Sequence, residues 1–152
     1  MASIDNDHAL RMALNALSAE QQRVLGSRFA QHVMHLSKDE RVNRAIETGL
    51  RTQVTPAELE DAFKSAKAYA AKTYTDCGKD TDWLAQADHF VAAAATAALT
   101  PDALLTEKQN RAWKAAMQAR MAVNCTLIEE DDAPATSEAE HQYEIVKGFL
   151  AE

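Results

Sequence analysis

Apolar residues recur every three or four positions along most of the chain, the spacing that places side chains on one face of an α-helix. Leu25, Phe29 and Val33, for example, form one such stripe, with His32 at its edge. The same period predicts helices over residues 7–17, 18–36, 37–50, 55–77, 106–128 and 137–150, and one that begins near residues 80–82 and ends at 99. The pattern therefore predicts an all-α fold, an irregular bundle of six to seven helices.

Five of these segments begin with the sequence pattern of a capping box. In this motif a Ser or Thr side chain accepts from the backbone N–H three residues later, and the Glu or Gln at that later position accepts, through its side chain, from the backbone N–H of the Ser or Thr. The pairs are Ser18 with Gln21, Ser37 with Glu40, Thr55 with Glu58, Thr106 with Gln109, and Ser137 with Glu140. We expect a helix to begin at each of these pairs. The pairs Cys77-Gly78 and Thr100-Pro101 are expected to end the helices that precede them.

Alanine is the most informative part of the composition, with 31 of the 152 residues. It is the best helix former, and its small side chain lets helices approach closely. Because it is concentrated in residues 92–98 and 112–122, these two segments are predicted to form an Ala-rich central pair. The length suits one helical domain over residues 1–152, with an acidic, Pro-containing linker at about 129–136 before the last helix.

The charge balance argues against nucleic acid as a partner, because 16 basic residues face 23 acidic ones and the net charge is −7. Cys77 and Cys125 do not form a disulfide framework or a CxxC motif. The N-terminal segment has no basic start followed by an apolar core, and the small-apolar run 91–99 is too short for a membrane span. We therefore expect a cytoplasmic protein with no membrane partner.

Motifs for common catalytic chemistry do not occur in the sequence. With four glycines, the chain has no phosphate-binding loop or Gly-rich dinucleotide turn, and no GxSxG element is found. The sequence thus gives no support for an enzyme and indicates no cofactor.

Histidines are the residues with the clearest potential for metal chemistry. His32 and His35 lie three positions apart, so both rings could share an ion, with His89 or Asp88 as a third ligand. The competing interpretation is structural: His32 borders the apolar stripe, and His35 is partly solvated near a helix end. A buried His89 would then need a partner, for which Asn124 or Arg120 on the following helix is expected.

Three segments, RFAQHVMHLSKDERVNRAIETG (28–49), ADHFVAAAATAAL (87–99) and AWKAAMQARMAVN (112–124), resemble a family of bacterial immunity proteins that are all-helical and Ala-rich. This resemblance implies a protein that binds and neutralises a cognate toxin inside the producing cell. No functional residue of the family can be transferred to a position of this chain.

The leading hypothesis is therefore a cytoplasmic helical binding protein that blocks a basic toxin surface by occlusion. Its expected contact residues are acids near helix starts and in the linker: Glu58, Asp61, Glu129, Glu130, Asp131 and Asp132. The alternative is a metal- or small-ligand-binding bundle, with hydrolase activity as one option, that uses His32, His35 and His89. A homodimer joined by Ala-rich faces is a third interpretation.

Overall fold

The computed structural model describes residues 3–74, 82–106, 108–129 and 137–152. Over these ranges the chain forms helices and contains no strand, which confirms the all-α prediction. The helices are α1 (Asp7–Asn15), α2 (Ala19–His32), α3 (Glu40–Leu50), α4 (Pro56–Tyr74), α5 (Trp83–Leu99), α6 (Arg111–Glu129) and α7 (Glu138–Leu150). Single 3₁₀ turns occupy Met34–Leu36 and Asp102–Leu104. The expected helix end at Cys77-Gly78 and most of the expected acidic linker lie outside the described residues.

Three of the five predicted capping sites mark the start of a helix. Ser18 and Gln21 exchange both hydrogen bonds of a capping box at the start of α2, and Thr55 and Glu58 do the same before α4. At α7 the Ser137 hydroxyl accepts from the backbone N–H of Glu140. These local signals fix helix starts because they satisfy N–H groups that have no partner within the helix.

The other two predicted helix starts are wrong. At α3 the capping side chain is Asp39 rather than Ser37, and Asp39 accepts from the N–H groups of Arg41 and Val42. At α6 the Thr106 pair closes a turn, and the helix starts only at Arg111, where Asn110 accepts from the N–H of Trp113. The Asn110 side chain also donates to the Leu14 carbonyl near the end of α1. This tertiary contact favours Asn110 as the cap, four residues after the cap that the local motif predicts.

The Ala-rich pair lies at the centre of the bundle, as predicted. The most extensive contact between helices of the described chain joins α5 to α6, and α2 packs across both. Gly26 of α2 faces this pair so closely that a β-carbon there would lie 3.1 Å from the Ala98 β-carbon. The buried alanines of the pair are Ala87, Ala92, Ala94, Ala95, Ala97 and Ala98 on α5 and Ala112, Ala115, Ala116, Ala119 and Ala122 on α6. Small side chains thus set a short distance between the helix axes.

Buried polar side chains join the outer helices to this centre. Asp88 of α5 accepts from the backbone N–H of Lys38 at 2.7 Å and from the Tyr69 hydroxyl at 2.6 Å. Arg111 of α6 donates to the carbonyl of Thr100 at 2.9 Å and pairs with Asp102. These hydrogen bonds satisfy the buried polar groups. They attach the turn after α2, the helix α4 and the α5–α6 connection to the central pair.

Candidate metal-binding site

The inner face of α7 is unusually polar. Its buried residues, spaced four apart, are Glu138, Gln142 and Val146, so only one of the three is apolar. Both polar atoms of the Gln142 amide have a partner: the nitrogen donates to the Ala116 carbonyl at 2.9 Å, and the oxygen accepts from Arg120 at 2.8 Å. Glu138, one turn earlier, has a different type of partner.

Two histidines surround the carboxylate of Glu138. His32 Nδ1 lies 2.7 Å from one carboxylate oxygen and His141 Nδ1 lies 3.2 Å from the other. The Glu138 side chain is 5% exposed, whereas those of His32 and His141 are 40% and 46% exposed. We call these three residues the His–Glu cluster; it has a buried carboxylate at its base and two imidazoles that reach solvent.

Helix ends place these side chains together. His32 is the last residue of α2, Glu138 is the first residue of α7, and His141 follows Glu138 by three positions on the same helix face. The Ser137 cap fixes the start of α7 beside the end of α2. The dipole of α2 favours a cation at its C-terminus, and the dipole of α7 favours the Glu138 carboxylate in its first turn.

Among the residues that the structure describes, Glu138 has no permanently charged cationic partner. In the described part of the chain, its recorded ion-pair partners are the two histidines, and no Lys or Arg pairs with it. Burying an ionised carboxylate costs several kcal/mol unless a cation or strong donors compensate it. A divalent ion in the cluster would supply that compensation.

The donor set fits a transition metal of the zinc class. Imidazole nitrogen and carboxylate oxygen are common zinc ligands, and two His plus one Glu is a known three-ligand set with a fourth position for water. The three ligand atoms lie within 4.8 Å of one another. Tetrahedral ligands at zinc are about 3.3 Å apart, which follows from bonds of about 2.0–2.1 Å. Small side-chain rotations would therefore bring all three atoms into contact with one ion.

Of the three histidines proposed from sequence, the structure brings only His32 into this cluster. His35 is exposed in the 3₁₀ turn, and among the described residues the group able to share an ion is His32, Glu138 and His141. His89 is buried on α5, where burial lowers its pKa. Its Nδ1 lies 2.8 Å from the Thr73 hydroxyl of α4, so the expectation of an Asn124 or Arg120 partner is wrong.

Glu138 and His141 are not among the candidate residues expected from the sequence, although a local signal for them is present. The segment Glu138-Ala139-Glu140-His141 has the Glu-x-x-His spacing, which places a carboxylate and an imidazole on one helix face. The capping box at Ser137 predicted that this segment begins a helix. Together, the spacing and the cap indicate two of the three residues of the cluster.

The acids expected to contact a partner are described only in part. Glu58 accepts from the Thr55 N–H, which lowers its pKa, and it pairs with Arg51 at 3.0 Å. Asp61 is exposed and lines a groove of about 320 Å³ that also contains Arg41 and Arg44. This part of the surface therefore carries mixed charge. Glu129 ends α6, and its side chain, together with residues 130–132, lies outside the described part.

Open space adjoins both histidines of the His–Glu cluster. His32 lines a groove of about 770 Å³ between α2 and α7, which also includes Arg28 and Glu144. His141 lines a second groove of about 650 Å³ on the other side of α7. An ion from solvent could thus reach the imidazoles without any helix moving.

Comparison with protein-family models, with curated proteins and with solved structures finds no match to this chain. Within the described residues, no helix is both long and apolar enough to cross a membrane.

Proposed function

We propose that this protein binds a divalent transition metal ion of the zinc class through His32, Glu138 and His141. The observation that supports the proposal is the carboxylate of Glu138, which is 5% exposed and lies between two imidazole nitrogens. Such a group is stabilised by positive charge, and its partners among the described residues are imidazoles, which are metal ligands, rather than Lys or Arg. Three protein ligands leave a position open for water or an exogenous ligand.

The test is a titration of purified protein, prepared without a polyhistidine tag and stripped with a chelator. Calorimetry with Zn²⁺ and absorption spectra with Co²⁺ should show one ion per chain. His32→Ala and His141→Ala should each weaken binding on the order of 100-fold, because each removes one of three ligands. His35→Ala is the matched control, since it removes an exposed imidazole three positions from His32.

Two outcomes would contradict the proposal. One is the absence of stoichiometric binding by the unmodified chain. The other is a loss of affinity in His35→Ala equal to that in His32→Ala, since this would indicate adsorption to surface histidines in general rather than a defined site.

A second candidate function is binding of a basic protein partner, such as a bacterial toxin, by an acidic surface. The net charge of −7 favours it, because an acidic field steers basic partners towards the protein. Since Glu58 and Asp61 lie near arginines, we assign the main contact to Glu129, Glu130, Asp131 and Asp132. Co-purification with products of neighbouring genes tests this proposal. A complex that survives charge reversal at residues 129–132 would contradict the assigned contact.

A further inference from the structure

The ligands of the proposed site are divided between two helices that are far apart in sequence. His32 ends α2, whereas Glu138 and His141 belong to the first turns of α7. An ion can bind all three only when α7 lies against α2. Binding and helix docking are therefore linked thermodynamically, and each must favour the other by the same free energy.

Glu138 is also the residue of α7 for which docking has the highest cost. Gln142 exchanges water for two hydrogen bonds within the protein, and Val146 gains from apolar burial. Glu138 loses its hydration when α7 docks, and two imidazoles replace that water. Without an ion, the docked helix carries an incompletely compensated carboxylate at its N-terminal end.

The other polar attachments of α7 are weaker anchors. Tyr143 donates to Asp7 at 2.8 Å, and Arg28 pairs with Glu152 at 2.6 Å. The side chains of Asp7 and Glu152 are 49% and 59% exposed, so water and salt screen both contacts. The apolar contribution comes mainly from Val146 and the partly buried Tyr143, Ile145 and Phe149.

We propose that the ion acts as a latch that holds α7 on the bundle, so that metal availability sets the fraction of molecules with α7 docked. This inference rests on the proposed metal-binding function and adds its regulatory consequence. If the ion binds only the docked form, free metal at 100 times its Kd lowers the undocked fraction about 100-fold. The central α5–α6 pair has no ligand in the cluster and should not respond.

Hydrogen exchange of the full chain, measured by mass spectrometry with and without Zn²⁺, tests the latch. Peptides covering residues 138–150 should exchange about 100-fold more slowly at saturating Zn²⁺. Peptides covering residues 83–99 serve as the internal control and should be unchanged. His32→Ala should abolish the Zn²⁺ effect on α7, and His35→Ala should retain it.

A second variant tests the role of the buried charge. Glu138→Gln keeps the size of the side chain and one acceptor oxygen, replaces the other oxygen by an NH2 donor, and removes the charge. Ion-free Glu138→Gln should therefore exchange more slowly at residues 138–150 than the ion-free unmodified chain, and Zn²⁺ should no longer slow it. Faster exchange in this variant would overturn the latch, because the carboxylate would then favour docking without an ion.

Calorimetry on the same samples separates the two proposals. If Zn²⁺ binds stoichiometrically and α7 exchange does not change, the latch is wrong and the metal-binding function stands. If Zn²⁺ slows residues 83–99 as much as residues 138–150, the ion stabilises the whole fold and the latch is also wrong. If Zn²⁺ does not bind, both proposals fail.

Discussion

Gly49 of α3 lies directly against Ser27 of α2: a β-carbon on Gly49 would be 2.2 Å from the Ser27 hydroxyl oxygen. The Ser27 β-carbon and a Leu99 methyl group would each lie 3.2 Å away. Because Gly49 is inside a helix, where glycine is unfavourable, its presence reflects this close crossing rather than a turn. The contact sets how closely α3 approaches α2 and α5.

Substitution of this glycine should destabilise the fold. We expect Gly49→Ala to lower the free energy of unfolding by about 1–3 kcal/mol, because an added methyl overpacks the crossing. Gly148→Ala is the matched control, since a β-carbon there would meet nothing within 4 Å. That variant should gain about 0.5–1 kcal/mol from helix propensity. Urea unfolding measures both changes, and equal signs for the two variants would refute the close-crossing explanation.

Asn110 should matter far more than Thr106 for stability. Its side chain accepts from the Trp113 N–H at the start of α6 and donates to the Leu14 carbonyl near the end of α1, both at 3.0 Å. Asn110→Ala leaves both groups without this partner and should cost about 2–3 kcal/mol. Thr106→Ala should cost less than about 1 kcal/mol, because its pair closes only a turn. Similar losses for the two variants in urea unfolding would contradict the larger role of Asn110.

Asp7 should make stability depend on acid pH. Arg120 donates to both of its carboxylate oxygens, and this holds the pKa of Asp7 below the ordinary value of 3.8. A lowered folded-state pKa contributes stability above the unfolded-state value, and the contribution is lost as pH falls through the folded-state value. Asp7→Asn should thus lower stability at pH 7 by about 0.5–1 kcal/mol, since the carboxylate is half exposed.

The pH dependence of Asp7→Asn gives the sharper measurement. Its stability difference from the unmodified chain should shrink as the pH falls from 3.8 through the lower folded-state pKa of Asp7, because below that pKa both chains are neutral at this position. Asp5→Asn is the control, since Asp5 is two residues away and bonds Ser3 and Asn6. A constant difference for Asp7→Asn from pH 7 to pH 2 would show that the ion pair with Arg120 does not contribute.

The helices could be predicted from sequence wherever a local rule decides the structure. The Ser18 and Thr55 pairs act within one helical turn, so their chemistry is complete in four residues. Asn110 was missed as a cap because its second partner, Leu14, is 96 residues away. Local motifs predict helix starts correctly until a tertiary hydrogen bond favours a different residue.

The candidate site was harder to predict for the same reason. His32 was selected because His35 is near it in sequence, whereas its partner in the structure, Glu138, lies 106 residues further along. The packing of the whole bundle decides which helix ends lie next to each other. The spacing of apolar residues within one helix does not predict this. The spacing of Glu138 and His141 was accessible from sequence, but their proximity to α2 was not.

The alanines of the central pair also determine which parts of the molecule can move. An alanine methyl has no rotamer to change, so the alanine contacts between α5 and α6 cannot accommodate a shift by rearranging side chains. The pair is therefore expected to behave as one rigid unit on the timescales of ligand binding. Conformational exchange should be confined to helices packed on its outside, where longer side chains offer alternative arrangements.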